Sequence, residues 1–354
     1  MKKIVLTGGG TAGHVTPNLA LLDGLKKNGF EVSYIGSYTG IEKRLAEEEN
    51  IPYYGISSGK LRRYFSFKNF SDPFRVLKGY FEAKKHLKNI KPDVVFSKGG
   101  FVAVPVVIAA KRRHIPCIIH ESDITPGLAN KLCIPSATRV CANFPETMKY
   151  LPADKAVLTG TPIRKVLFEG SREEGLKFLG FSGDKPVIMV VGGSTGAAAL
   201  NNAVHDLLPT LLKSYDIAHL CGKGKADAEF EGTSGYRQIE YVDKEMKDVF
   251  AAADVVVSRA GANAICEIVA LKKPNILIPL PATSSRGDQI LNAESFEKRG
   301  FSYVLPEEKL TNATLLDAIG EVFKNKDKYI EAMSSGIQND AVEKILELIN
   351  NTAK

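Results

Sequence analysis

Two glycine-rich segments of this sequence have the residue types and the spacing of anion-binding turns. Thr7 to Gly13 is TGGGTAG and Val190 to Ala197 is VVGGSTGA, and each stands between a β-branched run and a helical pattern. Small residues let the backbone approach an anion, and the following helix directs N–H groups and its positive dipole end toward it. Ser194 adds a hydroxyl suited to a diphosphate. Both segments are therefore predicted to bind phosphate.

The first segment, Gly8-x-Gly10-x-x-Gly13, also matches the dinucleotide fingerprint of oxidoreductases. In those enzymes the second strand usually ends in an acid that binds the ribose hydroxyls. Here the second β-branched run ends in Gly36 and Ser37, which disfavours a nicotinamide or flavin enzyme. A merely tight turn is the structural alternative to an anion site.

Polar residues that follow predicted strands are the candidates for catalysis and binding, because open α/β sheets bind ligands at the carboxyl ends of their strands. His14 directly follows the first turn and is a candidate base, with a helix cap as the alternative. His120 and Glu121 follow an apolar run and either act on a ligand or tie down a loop. Arg164, in GTPIRK, can contact a phosphate through two N–H groups.

The second half offers carboxylate and amide groups suited to a sugar nucleotide. SRAGANAICE follows a β-branched run and opens a helix with small residues, and Glu267 at its end suits ribose hydroxyls unless it is simply solvated. Gln289 and Asn292 recur at helical spacing after NILIPLP. Their amides suit sugar hydroxyls, and helix capping is the alternative.

The elements that must position these residues alternate between β-branched runs and helical patterns, which is typical of βαβ units and a parallel sheet. Thr16 is the predicted N-cap of the first helix, with Pro17 at N1 and Gly29 after its end. The predicted strands are KIVLT, EVSYIG, DVVFS, CIIH, RVCA, AVLT, PVIMVV, IAHLC, DVVVS and NILIP. The repeated glycine turn predicts an α/β chain of two Rossmann-like, doubly wound parallel-sheet domains.

The domain boundary is predicted just after Gly160-Thr161-Pro162. We expect one domain over residues 1–163, a second over 164–336, and a C-terminal helix over 337–354 that packs back on the first. That helix is predicted from apolar residues at helical spacing after Asp340, namely Val342, Ile345, Leu346 and Ile349.

Composition limits the class of protein. The 354 residues are 44% apolar and 25% charged, which excludes disordered and fibrous chains. Five cysteines without metal-ligand spacing indicate reduced thiols in a cytosolic protein. The start MKKIVLTGGG is too short for a signal-peptide core, and no apolar run is long enough to span a membrane.

The positive charge is concentrated in one segment. The net charge is +7, yet between Lys60 and Lys91 ten Lys or Arg face two acids. Aromatic residues interleaved with these basic ones predict a peripheral membrane contact. Asp72 and Pro73 are predicted to start an amphipathic helix. Nucleic-acid binding is disfavoured, because the sequence has no RRM, KH or OB pattern. We assign the helix to the core, with Val76, Leu77, Tyr80, Phe81 and Leu87 as its inner face, and the loop before it to the membrane. The predicted membrane residues are Arg62, Arg63, Phe65, Phe67, Lys68 and Phe70.

Seven segments in this order resemble the MurG family of GT-B glycosyltransferases over nearly the whole chain. They are GGGTAGH, KGGFVAVP, HESDITPGLAN, GTPIR, GGSTGA, SRAGANAICE and DQILNA. The resemblance implies two domains facing a central cleft. It also implies inverting transfer of GlcNAc from UDP-GlcNAc to the C4 hydroxyl of MurNAc in lipid I (undecaprenyl-diphospho-MurNAc-pentapeptide), giving lipid II and UDP for peptidoglycan synthesis, cell shape and division.

The resemblance also implies residue roles. Arg164 and Ser194 serve the donor diphosphate, Glu267 the ribose and Gln289 the GlcNAc hydroxyls, while His14 is the base. The remaining donor-side residues are Thr11, Ala12, Gly13, Asp123, Ala262, Asn263 and Ala264, and the acceptor-side candidates are Gly10, His120, Glu121 and Asn130. No tightly bound cofactor or metal is expected. The expected partners are UDP-GlcNAc, lipid I, anionic membrane lipid and other cell-wall synthesis proteins. The enzyme is expected to be a peripheral protein on the cytoplasmic face of the cell membrane.

Four positions depart from the family pattern, namely Ala12, Asp123, Ala264 and Asp288. They leave the individual contacts at those positions open. Three other functions compete with lipid I glycosylation: a GT-B transferase for another lipid, a UDP-GlcNAc 2-epimerase, and a non-catalytic membrane scaffold that binds the UDP-sugar.

Overall fold

A computed structural model of the chain describes residues 1–59, 68–192, 197–283, 285–336 and 339–354, with the backbone alone described for 68–73. The chain divides into two compact units. The first unit comprises Met1–Arg164 and Asn339–Lys354, and the second comprises Lys165–Gln338. The division falls one residue after the predicted boundary, and the last helix belongs to the first unit.

The first unit is built on seven parallel strands in the order β3-β2-β1-β4-β5-β6-β7. The strands are β1 (Lys2–Thr7), β2 (Phe30–Ser37), β3 (Tyr53–Ile56), β4 (Val94–Ser97), β5 (Cys117–Glu121), β6 (Arg139–Ala142) and β7 (Ala156–Leu158). In β1, Val5 packs into one buried cluster, whereas Ile4 and Leu6 pack into another. Helices therefore cover both faces of the sheet. The strand order reverses between β1 and β4, which places a crevice for ligands above those two strands.

The helices of the first unit differ from two sequence predictions. They are α1 (Thr16–Leu19), α2 (Leu22–Lys27), α3 (Ile41–Glu48), α4 (Lys68–Ile90), α5 (Ala103–Arg112) and α6 (Leu128–Cys133), with 3-10 turns at Ala12–His14, Ile134–Ser136 and Pro145–Tyr150. Thr16 is not an N-cap, because Val15 has that place and the Thr16 hydroxyl donates back to the carbonyl of Ala12. Asp72 and Pro73 do not start α4, which begins four residues earlier.

The second unit repeats the architecture with six parallel strands in the order β10-β9-β8-β11-β12-β13. The strands are β8 (Val187–Val191), β9 (Asp216–Leu220), β10 (Tyr236–Ile239), β11 (Val255–Ser258), β12 (Asn275–Leu277) and β13 (Tyr303–Val304). The helices are α7 (Arg172–Leu179), α8 (Ala198–Leu211), α9 (Met246–Ala252), α10 (Ala262–Ala270), α11 (Asp288–Lys298), α12 (Asn312–Lys324) and α13 (Lys326–Gly336), with 3-10 turns at Lys165–Glu169, Ala228–Phe230 and Glu307–Lys309. Here the order reverses between β8 and β11. The two units together have the GT-B fold.

The last helix, α14 (Ala341–Thr352), completes one face of the first sheet. Ile345 and Ile349 are fully buried in the same cluster as Ile4 and Leu6. Gly24 of α2 leaves room for Leu346, since a Cβ there would lie 2.1 Å from that side chain. Among the described residues, no helix is both long and apolar enough to cross a bilayer. All five cysteines are free thiols, and four of them are buried.

Candidate active site

Two glycine turns meet at the crevice of the first sheet. The first turn, Gly8–Gly13, follows β1, and a second turn, Lys98–Gly100, follows the neighbouring strand β4. The N–H of Gly9 donates to the carbonyl of Gly99 at 3.3 Å. Gly100 has a φ of +84°, and a Cβ on it would lie 2.3 Å from the Gly9 carbonyl oxygen. Side chains are therefore excluded where the two backbones approach each other.

His14 closes the first turn and is partly exposed. It ends the 3-10 turn Ala12–His14, and its Nδ1 lies 2.9 Å from the hydroxyl of Thr11, which is itself exposed. When Nδ1 carries the proton and donates it to the Thr11 hydroxyl, Nε2 is the unprotonated ring nitrogen. The pair therefore presents a nitrogen that can accept a proton from a ligand hydroxyl.

His120 lies at the same sheet edge but is fully buried. Its Nε2 lies 2.8 Å from the Gly160 carbonyl oxygen, and its Nδ1 lies 2.7 Å from Nζ of Lys98. Burial, and then the Lys98 charge, hold the pKa of His120 well below its ordinary value. The neutral ring donates Nε2–H to Gly160 and accepts from Lys98, which also donates to Ser122 Oγ at 2.7 Å. Both nitrogens are engaged, so His120 supports the loop rather than accepting a substrate proton.

Glu121 organises the loop that follows β5. One carboxylate oxygen accepts from the N–H of Asp123 at 3.0 Å, and the other accepts from Gly127 N–H and Asn130 Nδ2 at 3.0 and 2.8 Å. Burial, followed by the nearby Asp123 charge, raises the pKa of Glu121. Glu121 and Asn130 are buried, whereas Asp123 is partly exposed. The first two therefore shape the loop that presents Asp123.

Arg164 follows β7 and is partly exposed. Its Nε atom is buried and has no hydrogen-bond partner among the described residues. A buried N–H donor without an acceptor is costly, and an anion bound beside the guanidinium would satisfy it. This observation favours a phosphate contact for Arg164.

In the second unit, α10 begins directly after β11, at the place where the strand order reverses. Gly261 is its N-cap and provides no side-chain cap, and the positive dipole end of a helix favours an anion. Asn263 and Ala264 lie partly exposed in the first turn, Ala262 is buried, and Glu267 lies partly exposed in the second turn.

The buried Arg259 stabilises the segment between β11 and α10. It forms an ion pair with Glu307 and donates to the Ile278 carbonyl at 3.1 Å. It therefore joins the ends of β11 and β12 and is a positioning residue.

Gln289, in α11, bridges the same two strand ends. Its Oε1 accepts from the N–H groups of Ala260 and Leu280 at 3.2 and 3.0 Å. Its oxygen is therefore occupied, and its NH₂ group remains to donate to a sugar. Asn292 is fully buried and donates to the Ala260 carbonyl at 3.4 Å, so the hypothesis that it reads sugar hydroxyls is wrong. Asp288, one of the four departures, pairs with Arg286 at 2.6 Å.

A buried polar network supports the start of α8 in the second unit. His219 Nε2 lies 3.1 Å from Asn201 Oδ1, and its Nδ1 lies 2.7 Å from the Tyr236 hydroxyl. Burial, and then nearby His205, lower the pKa of His219 to about 3. The neutral ring therefore donates to Asn201, which donates in turn to the Cys221 carbonyl at 3.0 Å.

Several predicted residues lie outside the described parts of the chain. They are Ser194, Arg62, Arg63, Phe65 and Phe67, and the side chains of Lys68 and Phe70 are likewise not described. Within the described chain, no group of three or more His, Cys, Asp or Glu residues is arranged to hold a metal ion.

The described part of α4 corrects the predicted inner face. Leu87 is buried and Val76 and Tyr80 are partly buried, but Leu77 and Phe81 are exposed. Together with Phe74, at spacings of three and four residues, they form an apolar stripe, which we call the α4 stripe.

Three site residues were missed from the sequence: Lys98, His219 and Glu42, which is fully buried beneath the first turn. A lysine between an apolar run and two glycines was a usable signal for Lys98. His219 has no such local signal, because its partners Asn201 and Tyr236 are distant in sequence, and the link from Glu42 to the first turn spans 32 residues.

Comparison with known proteins agrees with both halves of this arrangement. Residues 4–142 match the glycosyltransferase family 28 N-terminal domain, and residues 187–349 match the glycosyltransferase family 28 C-terminal domain. The chain is 68% identical over 349 residues to a protein of Lachnoclostridium phytofermentans (99% of this chain, 98% of that protein). It is 62% identical to one of Lachnospira eligens over the full length of both. Both are named UDP-N-acetylglucosamine--N-acetylmuramyl-(pentapeptide) pyrophosphoryl-undecaprenol N-acetylglucosamine transferase. The crystal structure of Acinetobacter baumannii MurG is similar with a TM-score of 0.75 and 28% identity, covering 99% of this chain and 100% of that one.

Proposed function

Because this chain belongs to glycosyltransferase family 28, we propose that it transfers GlcNAc from UDP-GlcNAc to the MurNAc unit of undecaprenyl-diphospho-MurNAc-pentapeptide, forming lipid II and UDP in peptidoglycan synthesis. The observation that carries the proposal is 62–68% identity, over essentially the full length, to two transferases with this name. The exposed Thr11–His14 pair is the geometric support, since it offers a proton acceptor beside a glycine turn.

We assign the base to His14. Nε2 accepts the proton of the MurNAc C4 hydroxyl, the C4 oxygen forms a bond to the anomeric carbon of GlcNAc, and the bond from that carbon to the UDP oxygen breaks with its electron pair leaving on UDP. Attack opposite the leaving group inverts the anomeric configuration. Thr11 orients the ring through Nδ1 and so keeps the lone pair on Nε2.

We assign the donor mainly to the second unit. The positive dipole end of α10 and the hydroxyl of Ser194 suit the diphosphate, Glu267 suits the ribose, and the NH₂ of Gln289 suits a GlcNAc hydroxyl. Arg164 adds a cation whose buried Nε lacks a partner among the described residues. These donors are placed to stabilise the charge that develops on UDP, and the proposal requires no tightly bound cofactor or metal.

We assign the acceptor to the first unit. Its diphosphate would lie against the turn from Thr11 to Gly13, and the loop held by Glu121 and Asn130 would present Asp123 to sugar hydroxyls. A hydroxyl is the better partner for Asp123, because two like charges in contact destabilise each other.

We further propose that the enzyme works as a peripheral protein on the cytoplasmic face of the cell membrane, where the acceptor lipid is anchored. The α4 stripe supports this, because three exposed apolar side chains lie beside Arg75, Lys78 and Lys85. Apolar burial combined with attraction to anionic lipid gives reversible docking. Residues 62–67 lie outside the described chain, and Lys68 and Phe70 belong to α4 rather than to the predicted loop; together they remain the predicted extension of this surface.

The deciding experiment incubates the protein with radiolabelled UDP-GlcNAc and a soluble lipid I analogue. Labelled disaccharide–lipid and UDP in equal amounts are the expected products. UDP-ManNAc without acceptor, or ManNAc and UDP where water also cleaves the donor, would indicate an epimerase. Binding without turnover would indicate a scaffold, and transfer only to another lipid would indicate a different acceptor. Each of these three results contradicts the proposal.

A further inference from the structure

A buried carboxylate occupies the space beneath the first glycine turn. Glu42 is the second residue of α3, yet its side chain is fully buried. Three glycines surround the carboxyl end. A Cβ on Gly9, Gly36 or Gly40 would lie 2.4, 2.7 or 2.2 Å from the nearest Glu42 atom. The first turn and the connection from β2 to α3 therefore both leave room for this one carboxylate.

The carboxylate is hydrogen bonded on both oxygens. Oε1 accepts from the N–H and the hydroxyl of Ser37 at 3.0 and 2.5 Å, and Oε2 accepts from the N–H of Gly10 at 3.2 Å. Ser37 ends β2, and Gly10 lies in the turn that carries Thr11 and His14. Glu42 thus joins the second strand to the turn.

This arrangement changes what the first turn can bind. N–H groups of glycine turns that precede helices are ready sites for phosphate. Here the N–H of Gly9 is donated to Gly99, and that of Gly10 to the chain's own carboxylate. An external anion at Gly9 and Gly10 would meet a negative charge instead of two free donors.

We propose that Glu42 is the positioning residue of the acceptor half of the reaction. As an internal anion, it holds Gly10 in place and thereby fixes Thr11 and His14, one and four residues later. This inference rests on the proposed function, because it concerns acceptor use. A general contribution to folding would instead affect donor and acceptor alike.

The test uses Glu42→Gln, which keeps the size of the side chain. A carboxamide has one acceptor oxygen, so its NH₂ must face either Ser37 or Gly10. We expect kcat with a soluble lipid I analogue to fall by about 10- to 100-fold, the range for losing a hydrogen bond to a charged group. The acceptor KM should rise, while the Kd for UDP-GlcNAc stays within about twofold, since Glu42 lies in the first unit.

Two further variants separate positioning from folding. Gly9→Ala keeps the carboxylate but forces it away, because the new Cβ would lie 2.4 Å from Glu42 Cδ. It should cause the same acceptor-side loss, and the double variant should lose no more than the worse single variant, because coupled residues are not additive. Asp216→Asn, at a buried acid in β9, is the matched control and should leave both kinetic constants unchanged.

Amide hydrogen exchange gives a readout that does not need activity. The peptide covering residues 7–19 should exchange about tenfold faster in Glu42→Gln, with peptides of the second unit unchanged. Wild-type protein that transfers no GlcNAc would refute the proposed function, and the exchange would still test Glu42. An unchanged exchange rate, an unchanged acceptor KM and kcat, or equal shifts for donor and acceptor would overturn the inference.

Discussion

Membrane docking through the α4 stripe can be tested by replacing Phe74, Leu77 and Phe81 with serine. These residues are 75%, 54% and 59% exposed, so the fold does not depend on burying them. Fully burying such a side chain contributes about 1.5–3 kcal/mol. Scaled by the exposed fractions, insertion of all three into a membrane is worth roughly 4 kcal/mol. Because 1.4 kcal/mol corresponds to a factor of ten, the triple variant should bind vesicles about 10³-fold more weakly.

The assay is cosedimentation with anionic vesicles, combined with turnover of long-chain lipid I and of a short-chain soluble acceptor. The triple variant should lose vesicle binding and long-chain turnover but keep the short-chain rate. Phe178→Ser with Leu316→Ser, at exposed positions of the second unit, is the matched control and should behave as wild type. Binding should also weaken with salt, because screening shortens the reach of the basic side chains. Vesicle binding within about threefold of wild type, or an equal loss in the control, would refute the assignment of the α4 stripe.

Three further predictions concern the catalytic base, the donor and acid stability. His14→Ala should lower kcat by roughly 10² to 10⁴, the usual contribution of a general base, without changing the Kd for UDP-GlcNAc; near-normal turnover would make His14 structural. UDP-GlcNAc should be strongly preferred to its C4 epimer UDP-GalNAc, because the wrong epimer leaves the Gln289 NH₂ without an acceptor; comparable turnover would contradict that role. The pKa of His219 is about 3 in the folded chain, so the unfolded chain alone binds this proton as the pH falls below about 6.5. Stability should drop by roughly 2 kcal/mol between pH 7 and pH 5 from this site. In urea unfolding, the free energy of unfolding of His219→Gln should fall less than that of wild type between pH 7 and pH 5. An equal fall would exclude His219 as the cause.

Local patterns were sufficient for the class of fold, and they named several candidate site residues. Short β-branched runs that alternate with helical patterns predicted ten of the thirteen strands of the described chain, including β1 and β8. Three short strands were not predicted, namely Tyr53–Ile56, Tyr236–Ile239 and Tyr303–Val304. All three are edge strands, where few residues contribute to the β-branched pattern. His14 and Arg164 were proposed as site residues from their places in the sequence, whereas Thr11 was proposed from the family resemblance, and their roles stay predictions.

The sequence by itself determined two parallel α/β units, a glycine turn after β1, and a basic aromatic segment, because these depend on neighbours within a few residues. Only the tertiary structure decided which polar side chains face a ligand. His120 supports a loop because Lys98, 22 residues earlier, occupies its Nδ1. Glu42 joins the first turn across 32 residues. A helical pattern also cannot say which apolar side is covered, so Leu77 and Phe81 were placed in the core although no described element buries them. Burial and hydrogen bonding depend on which distant segments the folded chain brings together, and that information is absent from local spacing.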